Sequence, residues 1–229
     1  MEAESHLTPD TVVVIPLGAA AKEHGPHLPL NNDALIAAWL AREICRRLPV
    51  VIAPLINSSF YPAFVEYPGS ISLRAATARD TLIETCDSLA SFGPDLFYVL
   101  NTGLSTENPL AEAAELLAHR GVSLHYLRLQ CVHERLPEGL FRQTFGSHAD
   151  ERETSLMLHI APEVVDMDRA VADGAEGEGR LTRTEGNGTW SPSGVYGDAT
   201  LATREKGERL ASAMVETACH DIEQMFDVP

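Results

Sequence analysis

The order of apolar runs along this chain constrains its fold more than any other feature of the sequence. Short runs rich in β-branched residues alternate with longer runs in which apolar residues recur at helical spacing. A strand at 11–17 (TVVVIPL), for example, precedes a helix from about 34 to 48. Alternation of this kind predicts an α/β fold, a three-layer sandwich with a mostly parallel central sheet and helices on both faces.

The remaining predicted elements continue the same alternation. We predict further strands and helices, in chain order, at 50–56, 77–92, 96–100, 109–119, 122–129, 149–160 and 203–226. The length of 229 residues suits a single domain over 1–229, because no linker separates two cores. The segment 168–200 has no clear period, and a loop of that length is usually a lid or a subunit contact.

Two loops of this predicted fold should carry the functional residues. Ligands gather at the carboxyl ends of parallel strands, which brings the loops at 18–33 and 101–108 to one edge. The first loop contains the run K-E-H-G-P-H-L-P-L-N-N-D at 22–33, whose prolines and glycine prevent helix or ladder formation. Imidazole nitrogens and carboxylate oxygens are ligands that Zn²⁺, Mn²⁺ and Fe²⁺ accept. The run therefore indicates a metal site at the end of a strand.

A structural interpretation of the same run stays open. Asp33 directly precedes an apolar helical run, so it is also a candidate N-cap of that helix. Glu23 is then a solvated surface carboxylate, and His24 and His27 are ordinary loop histidines.

The charge and composition of the chain argue against several classes of partner. Its formal net charge of −16 argues against nucleic acid, because phosphate binding needs clustered Lys and Arg. The N-terminal run has no basic region before an apolar stretch, and no run approaches the roughly 18 apolar residues of a membrane span. The 4 cysteines are far apart, so we expect reduced thiols in a cytoplasmic protein.

A second group of candidate residues stands at the start of the helix predicted at 149–160. His148 just before the first turn and Glu153 about one turn in would lie near one another and near incoming ligands. The alternative is a capped helix start, in which Asp150, Glu151 and Glu153 complement the helix dipole.

Four motifs occur in an order that closely resembles the creatininase (creatinine amidohydrolase) family over nearly the whole chain. They are G-P-H-L-P-L-x-x-D ending at Asp33, P-G-S-I-S-L at 68–73, H-A-D-x-x-E-T-S at 148–155 and S-G-V-Y-G-D-A-T-L-A-T-x-E-K-G at 193–207. The resemblance implies a three-layer α/β fold, assembly as a homohexamer, and a two-metal centre that hydrolyses small amides and lactams. It also implies that Asp33 bridges the metals, that His24 and Glu153 are ligands, and that His148 is the catalytic histidine.

Two departures from the family pattern concern the first metal. Lys22 stands two residues before His24, where the family has a glutamate, and the nearest carboxylate is the adjacent Glu23. Either a bulge places Glu23 as the missing ligand, or Lys22 occupies the first metal's position with its ammonium. The turn at 101–108 reads N-T-G-L-S-T-E-N and lacks the family's histidine, which leaves Glu107 as the candidate there.

Taken with the resemblance, these residues lead us to expect a metal-dependent amidohydrolase. A metal-bound hydroxide held by His24, Asp33 and Glu153 would attack a small cyclic or linear non-peptide amide, and His148 would protonate the leaving nitrogen. We expect one or two divalent metals per subunit, and a cationic Lys22 that polarises the carbonyl. Tyr61, Phe64 and Tyr67 are candidates either for the pocket wall or for packing in the core. The alternatives are a catalytically silent relative that binds a small molecule or partner, and a lyase that uses the metal as a Lewis acid.

Overall fold

A four-stranded parallel sheet forms the centre of the fold. The structure, a computed structural model, describes residues 3–174, 180–186 and 188–226. Across the sheet the strands follow the order β2 (Val51–Ile52), β1 (Val12–Leu17), β3 (Leu96–Asn101) and β4 (Ser123–Tyr126). Each adjacent pair is parallel, and Val13 of β1 pairs with Val51 on one side and Phe97 on the other.

Helices pack on both faces of this sheet. They are α1 (Asn32–Cys45), α2 (Ala75–Ala90), α3 (Glu107–Ala118), α4 (Leu129–Glu134), α5 (Glu151–Ile160) and α6 (Arg204–Phe226). Side chains alternate along a strand, so Val12 and Val14 of β1 pack with α1, α5 and α6, whereas Val13 and Ile15 pack with α2 and α3. This arrangement confirms the predicted three-layer α/β fold. None of the helices in the described residues is long and apolar enough to span a membrane.

The second strand is shorter than predicted, and helix α4 was not predicted. The strand predicted at 50–56 is reduced to Val51–Ile52, although Ile56 still bridges Leu17 of β1. Pro54 lies between them and cannot donate a ladder hydrogen bond, which explains the interruption. Helix α4, which has 6 residues and is too short to show helical periodicity, begins where the strand predicted at 122–129 was expected to end.

The segment predicted as a lid or subunit contact, 168–200, packs beside the start of α5. Its described part contains four short strands, β5 (Ala172–Asp173), β6 (Leu181–Thr182), β7 (Thr189–Trp190) and β8 (Gly197–Asp198). β5 pairs with β8 antiparallel, and β6 pairs with β7 parallel. Residues 175–179 and 187 of this segment lie outside the described residues.

Candidate metal centre

Asp33 is the centre of a buried polar cluster at the carboxyl end of β1. Its side chain is fully buried, with Oδ1 2.8 Å from Nε2 of His24 and Oδ2 2.7 Å from Nζ of Lys22. Helix α1 begins one residue earlier, at Asn32, and its N-cap residue Asn31 makes no side-chain capping bond. The N-cap interpretation of Asp33 is therefore wrong: the carboxylate binds two basic side chains and caps no backbone.

The loop between β1 and α1 folds tightly enough to bring these groups together. Gly18 follows β1 and approaches α1 so closely that a Cβ atom there would lie 2.2 Å from the backbone oxygen of Asp33. The backbone N–H of Ala34 donates to the carbonyl of Ala19, and that of Lys22 donates to Leu30. These bonds close the loop on itself and aim residues 22–24 back toward the helix start.

The backbone fixes which nitrogen of His24 faces the carboxylate. Nδ1 lies 2.8 Å from the carbonyl oxygen of Lys22, which can only accept, so Nδ1 carries the hydrogen. Nε2 therefore presents its lone pair to Oδ1 of Asp33 at 2.8 Å. Two acceptors this close need a cation or a proton between them, which is the arrangement of two ligands of one metal ion.

A backbone carbonyl also orients the ring of His148, on the other side of the cluster. Its Nε2 lies 2.7 Å from the carbonyl oxygen of Glu23 and so carries the hydrogen, whereas Nδ1 lies 3.5 Å from Oε2 of Glu153. The backbone of His148 pairs with Tyr196, which holds it in place. The next residue, Ala149, has a φ of 48°, a conformation unusual for a residue other than glycine and one found at functional sites.

Three of these side chains have the geometry of a ligand set. Ligand atoms of His24, His148 and Glu153 all lie within 4.8 Å of one another, and the two imidazole rings are 4.8 Å apart between centroids. Asp33 contacts His24 directly, so it borders the same space. One imidazole from His24 and the carboxylates of Asp33 and Glu153 are a donor set that Zn²⁺ or Mn²⁺ accepts, with His148 beside it, so the residues present fit a divalent metal.

Glu23 and Lys22 lie on different sides of this cluster. Lys22 is 3 % exposed, and its Nζ lies 4.9 Å from the ring centroid of Phe64 and 5.5 Å from that of Tyr61. Glu23 accepts a bond from the backbone of Gly25 through Oε1, while its buried Oε2 has no hydrogen-bond partner among the described residues. That oxygen lies 3.8 Å from Nε2 of His148. Lys22 thus faces Asp33, and Glu23 faces His148.

Glu107 is not brought to the cluster in the part of the chain that the structure describes. It begins α3 and is half-buried, and it does not line the adjoining cavity, whereas Thr102 and Gly103 do. The turn before it closes on itself, since the Asn101 amide donates to Gly103 and its carbonyl accepts from Thr106. A catalytic role for Glu107 stays a prediction.

Burial and the two basic side chains set the charge balance of the cluster. Burial alone would raise the pKa of the Asp33 carboxyl, but Lys22 and His24 together hold it below its usual range. Burial raises the pKa of Glu153, and raises that of Glu23 to about 7. Burial, with Lys22 and His24 nearby, lowers the pKa of His148 well below its usual value, so that the imidazole is neutral.

His27 has a structural role that sequence reasoning did not separate from that of His24. Its Nε2 bonds Oγ1 of Thr154 at 2.7 Å, and its carbonyl accepts from the backbone of Asp166. Burial lowers the pKa of His27 to about 4. It ties the loop to α5 and takes no part in the cluster.

Two of the four family motifs supply supporting residues that the sequence analysis did not single out. Ser70, from the motif at 68–73, accepts the backbone N–H of Glu23 at 2.9 Å. Gly194, from the motif at 193–207, allows Glu23 to approach, because a Cβ atom there would lie 1.9 Å from Oε2. Membership in a motif was the only signal that pointed to these positions.

A cavity of about 290 Å³ opens from the cluster, and Lys22, His148, Glu153 and Phe64 line it. Phe64 also contacts the His148 ring, at 4.2 Å between centroids. The hydroxyl of Tyr67 donates to the carbonyl of Ser191, so this residue is a packing element. Tyr61 is buried, and its hydroxyl has no partner among the described residues.

Comparison with known proteins identifies the family of this chain. The family model for creatininase, described as creatinine amidohydrolase, matches residues 1–222. A mycofactocin precursor peptide peptidase from Mycobacterium ulcerans is 32% identical over 216 residues, which are 89% of this chain and 81% of that protein.

Two solved structures share the fold. A crystal structure of creatinine amidohydrolase has a TM-score of 0.79 at 24% identity and covers 100% of this chain and 95% of its own. A structure named Creatininase Mn has a TM-score of 0.78 at 23% identity and covers 99% of this chain and 96% of its own. The chain belongs to the creatininase family, whose members are metal-dependent amidohydrolases.

Proposed function

We propose that this protein hydrolyses the C–N bond of a small cyclic or linear amide with one divalent metal and the ammonium of Lys22. The observation that carries the proposal is the arrangement around Asp33, whose two oxygens face His24 and Lys22 at 2.8 and 2.7 Å. In this proposal Oδ1 of Asp33 faces the metal site, and Oδ2 already binds the ammonium of Lys22. The ammonium thus stands where the family resemblance implies a first metal.

Separate residues would bind the metal and stabilise the charge that develops on the substrate. His24, Asp33 and Glu153 would hold the metal. When bound, the metal supplies Lewis acidity, which polarises a carbonyl and lowers the pKa of water. Lys22 lines the cavity, where its charge stabilises the negative charge that develops on the carbonyl oxygen.

His148 is the proton carrier in this proposal. Because its Nε2–H is held by the Glu23 carbonyl, its Nδ1 is free to accept a proton from the attacking water. The same nitrogen then delivers that proton to the leaving nitrogen, and the products are a carboxylic acid and an amine. A neutral imidazole at the start suits this order of events.

The metal, the assembly and the substrate class follow the resemblance. Zn, Mn and Fe are the candidate metals, and a homohexamer is the expected assembly. The relative from Mycobacterium ulcerans is named a peptide peptidase. Short peptides therefore belong in the same substrate panel as lactams and linear amides.

The test is hydrolysis by protein reconstituted with each metal in turn, with the metal-free protein as control. We expect release of an amine from at least one amide or lactam only in the metal-loaded samples. His148→Ala should keep the metal content and lose about 10²–10⁴-fold in rate, the range typical of a lost acid–base group. Full activity in His148→Ala, or no hydrolysis of any amide, lactam or peptide by metal-loaded protein, would contradict the proposal.

A further inference from the structure

The cavity at the metal centre continues into an apolar arm among the helices. Ile36 follows Asp33 by three residues on α1, and Leu156 follows Glu153 by three residues on α5. Residues at this spacing share a helix face, so the lining passes from the polar cluster directly onto apolar side chains. The arm is lined by Ile36, Leu129, Val132, Leu156, Leu210 and Met214.

The apolar lining of the arm comes from four helices and is buried except at Leu129, which is partly exposed. Leu210 and Met214 lie one turn apart on α6 and are 5 % and 4 % exposed, and Val132 on α4 is 1 % exposed. The nearby cation, Arg152, is held over the ring of Phe141 and beside Asp150. The arm therefore offers apolar contact rather than a free ionic partner.

We infer that this arm receives the acyl side of the substrate, which makes the substrate class an amide with an extended apolar acyl group. This inference rests on the proposed function. His148 precedes α5, Glu153 lies in its first turn and Leu156 lies one turn further, so the arm and His148 are on opposite sides of Glu153. The leaving nitrogen must lie at His148 to be protonated, which directs the acyl group toward Leu156.

Continuity with the catalytic cluster supports a substrate group as the occupant. A compact polar amide would fill only the end lined by Lys22, His148 and Glu153 and would leave the arm empty. An acyl chain of about four to six carbons would instead remove its apolar surface from water. Each buried methylene should tighten binding about three- to fourfold.

The experiment measures binding of straight-chain hydroxamates to metal-loaded protein by calorimetry. The probes are acetohydroxamate, butyrohydroxamate and hexanohydroxamate, and the metal content is measured first. We expect the dissociation constant to fall about three- to fourfold per added methylene, and so roughly 80- to 250-fold over the four methylenes between the first and the last probe. Leu210→Phe, which fills the arm, should abolish that gain and leave acetohydroxamate binding unchanged.

If Leu210→Phe does not fold, a second variant tests the same arm. Met214→Phe narrows the arm from the neighbouring turn of α6, and thermal unfolding checks both proteins. Tight acetohydroxamate binding with no gain along the series, or a gain that survives both variants, would overturn the apolar arm alone. Failure of all three probes to bind metal-loaded protein would instead overturn the proposed metal chemistry and the arm with it.

Discussion

Two pairs of a lysine and a buried carboxylate, one at the start of α1 and one at the start of α5, differ in how many acceptors the lysine contacts. Glu151 accepts the backbone N–H groups of Arg142 and Gln143 at 2.7 and 2.8 Å and pairs with Lys206, whose Nζ also donates to the carbonyl of Leu201 at 2.7 Å. Every oxygen of that carboxylate has a partner. This closed pair joins α5 to α6 and leaves no unpaired carboxylate oxygen to bind a ligand.

The pair of Lys22 and Asp33 is left open on the cavity side. In the described part of the chain, Nζ of Lys22 contacts one carboxylate oxygen and two aromatic rings. Nearby, Oε2 of Glu23 and the hydroxyl of Tyr61 are buried without partners. Buried polar groups without partners cost folding free energy, so their concentration here supports our proposal that this pair belongs to the functional site. Within the residues that the structure describes, Lys206 contacts two acceptors and Lys22 contacts one, and this difference in hydrogen bonding separates the two pairs.

The largest expected effect comes from the shared carboxylate of the open pair. Asp33→Asn keeps the shape of the side chain and removes the charge, so metal content after dialysis should fall close to zero. The rate should drop by about 10³-fold, because the metal contributes several kcal/mol of transition-state stabilisation. The matched control is Glu151→Gln in the closed pair, which should keep the metal; full metal content in Asp33→Asn would remove the distinction between the pairs.

Replacing the lysine of the open pair should affect the reaction more than the fold. Lys22→Met keeps the length of the side chain but removes the ammonium, and kcat/KM should fall by about 10²–10³-fold, as for other single groups that stabilise developing charge. Metal content should stay the same, since all three proposed ligands, His24, Asp33 and Glu153, remain. An unchanged kcat/KM would mean that Lys22 only neutralises Asp33.

Replacing the lysine of the closed pair should give the opposite result. Lys206→Met leaves Glu151 buried and without its cation, and the free energy of unfolding should fall by about 3–5 kcal/mol. Denaturant unfolding measures this loss. The metal content and kcat of the folded fraction should match those of the wild type; a large loss of kcat would show that the closed pair also serves the site.

The smallest effect concerns the structural histidine of the loop. The pKa of His27 lies near 4 in the folded protein and near its usual 6.5 when unfolded, so the unfolded chain binds more protons between these values. Its contribution to the free energy of unfolding is therefore complete above pH 6.5 and is lost as the pH falls toward 4, by at most about 3 kcal/mol.

His27→Gln can still bond Thr154 but does not titrate in this range. Denaturant unfolding of both proteins at pH 7 and pH 4.5 should show a smaller loss in the variant. Equal losses in the two proteins would mean that His27 is not protonated on unfolding in this range.

Much of the fold followed from local sequence, because apolar runs and their period report directly on strands and helices. Prediction failed where a single residue or a very short element determines the local structure. Pro54 interrupts the second strand, and α4 is too short for its period to be recognised. The spacing of His24 and Asp33 indicated the cluster, because both lie in one closed loop.

The relative positions of Lys22 and Glu23 did not follow from the sequence. Adjacent side chains in an extended loop point in different directions, and their final direction depends on contacts from distant segments. Here Ser70 binds the backbone of Glu23, and Gly194 makes room for its carboxylate. Neither contact can be deduced from the residues around position 22. The role of Asp33 was ambiguous for the same reason, since a helix start suits a cap as well as a ligand.

The central claim is that one metal and the ammonium of Lys22 share Asp33. A crystal structure of the zinc-loaded protein, with data collected at the zinc absorption edge, tests it most directly. We expect one anomalous peak bordered by His24, Asp33 and Glu153, with Nζ of Lys22 still in contact with Oδ2 of Asp33. A second peak on the Lys22 side of Asp33, with the lysine displaced, would contradict it.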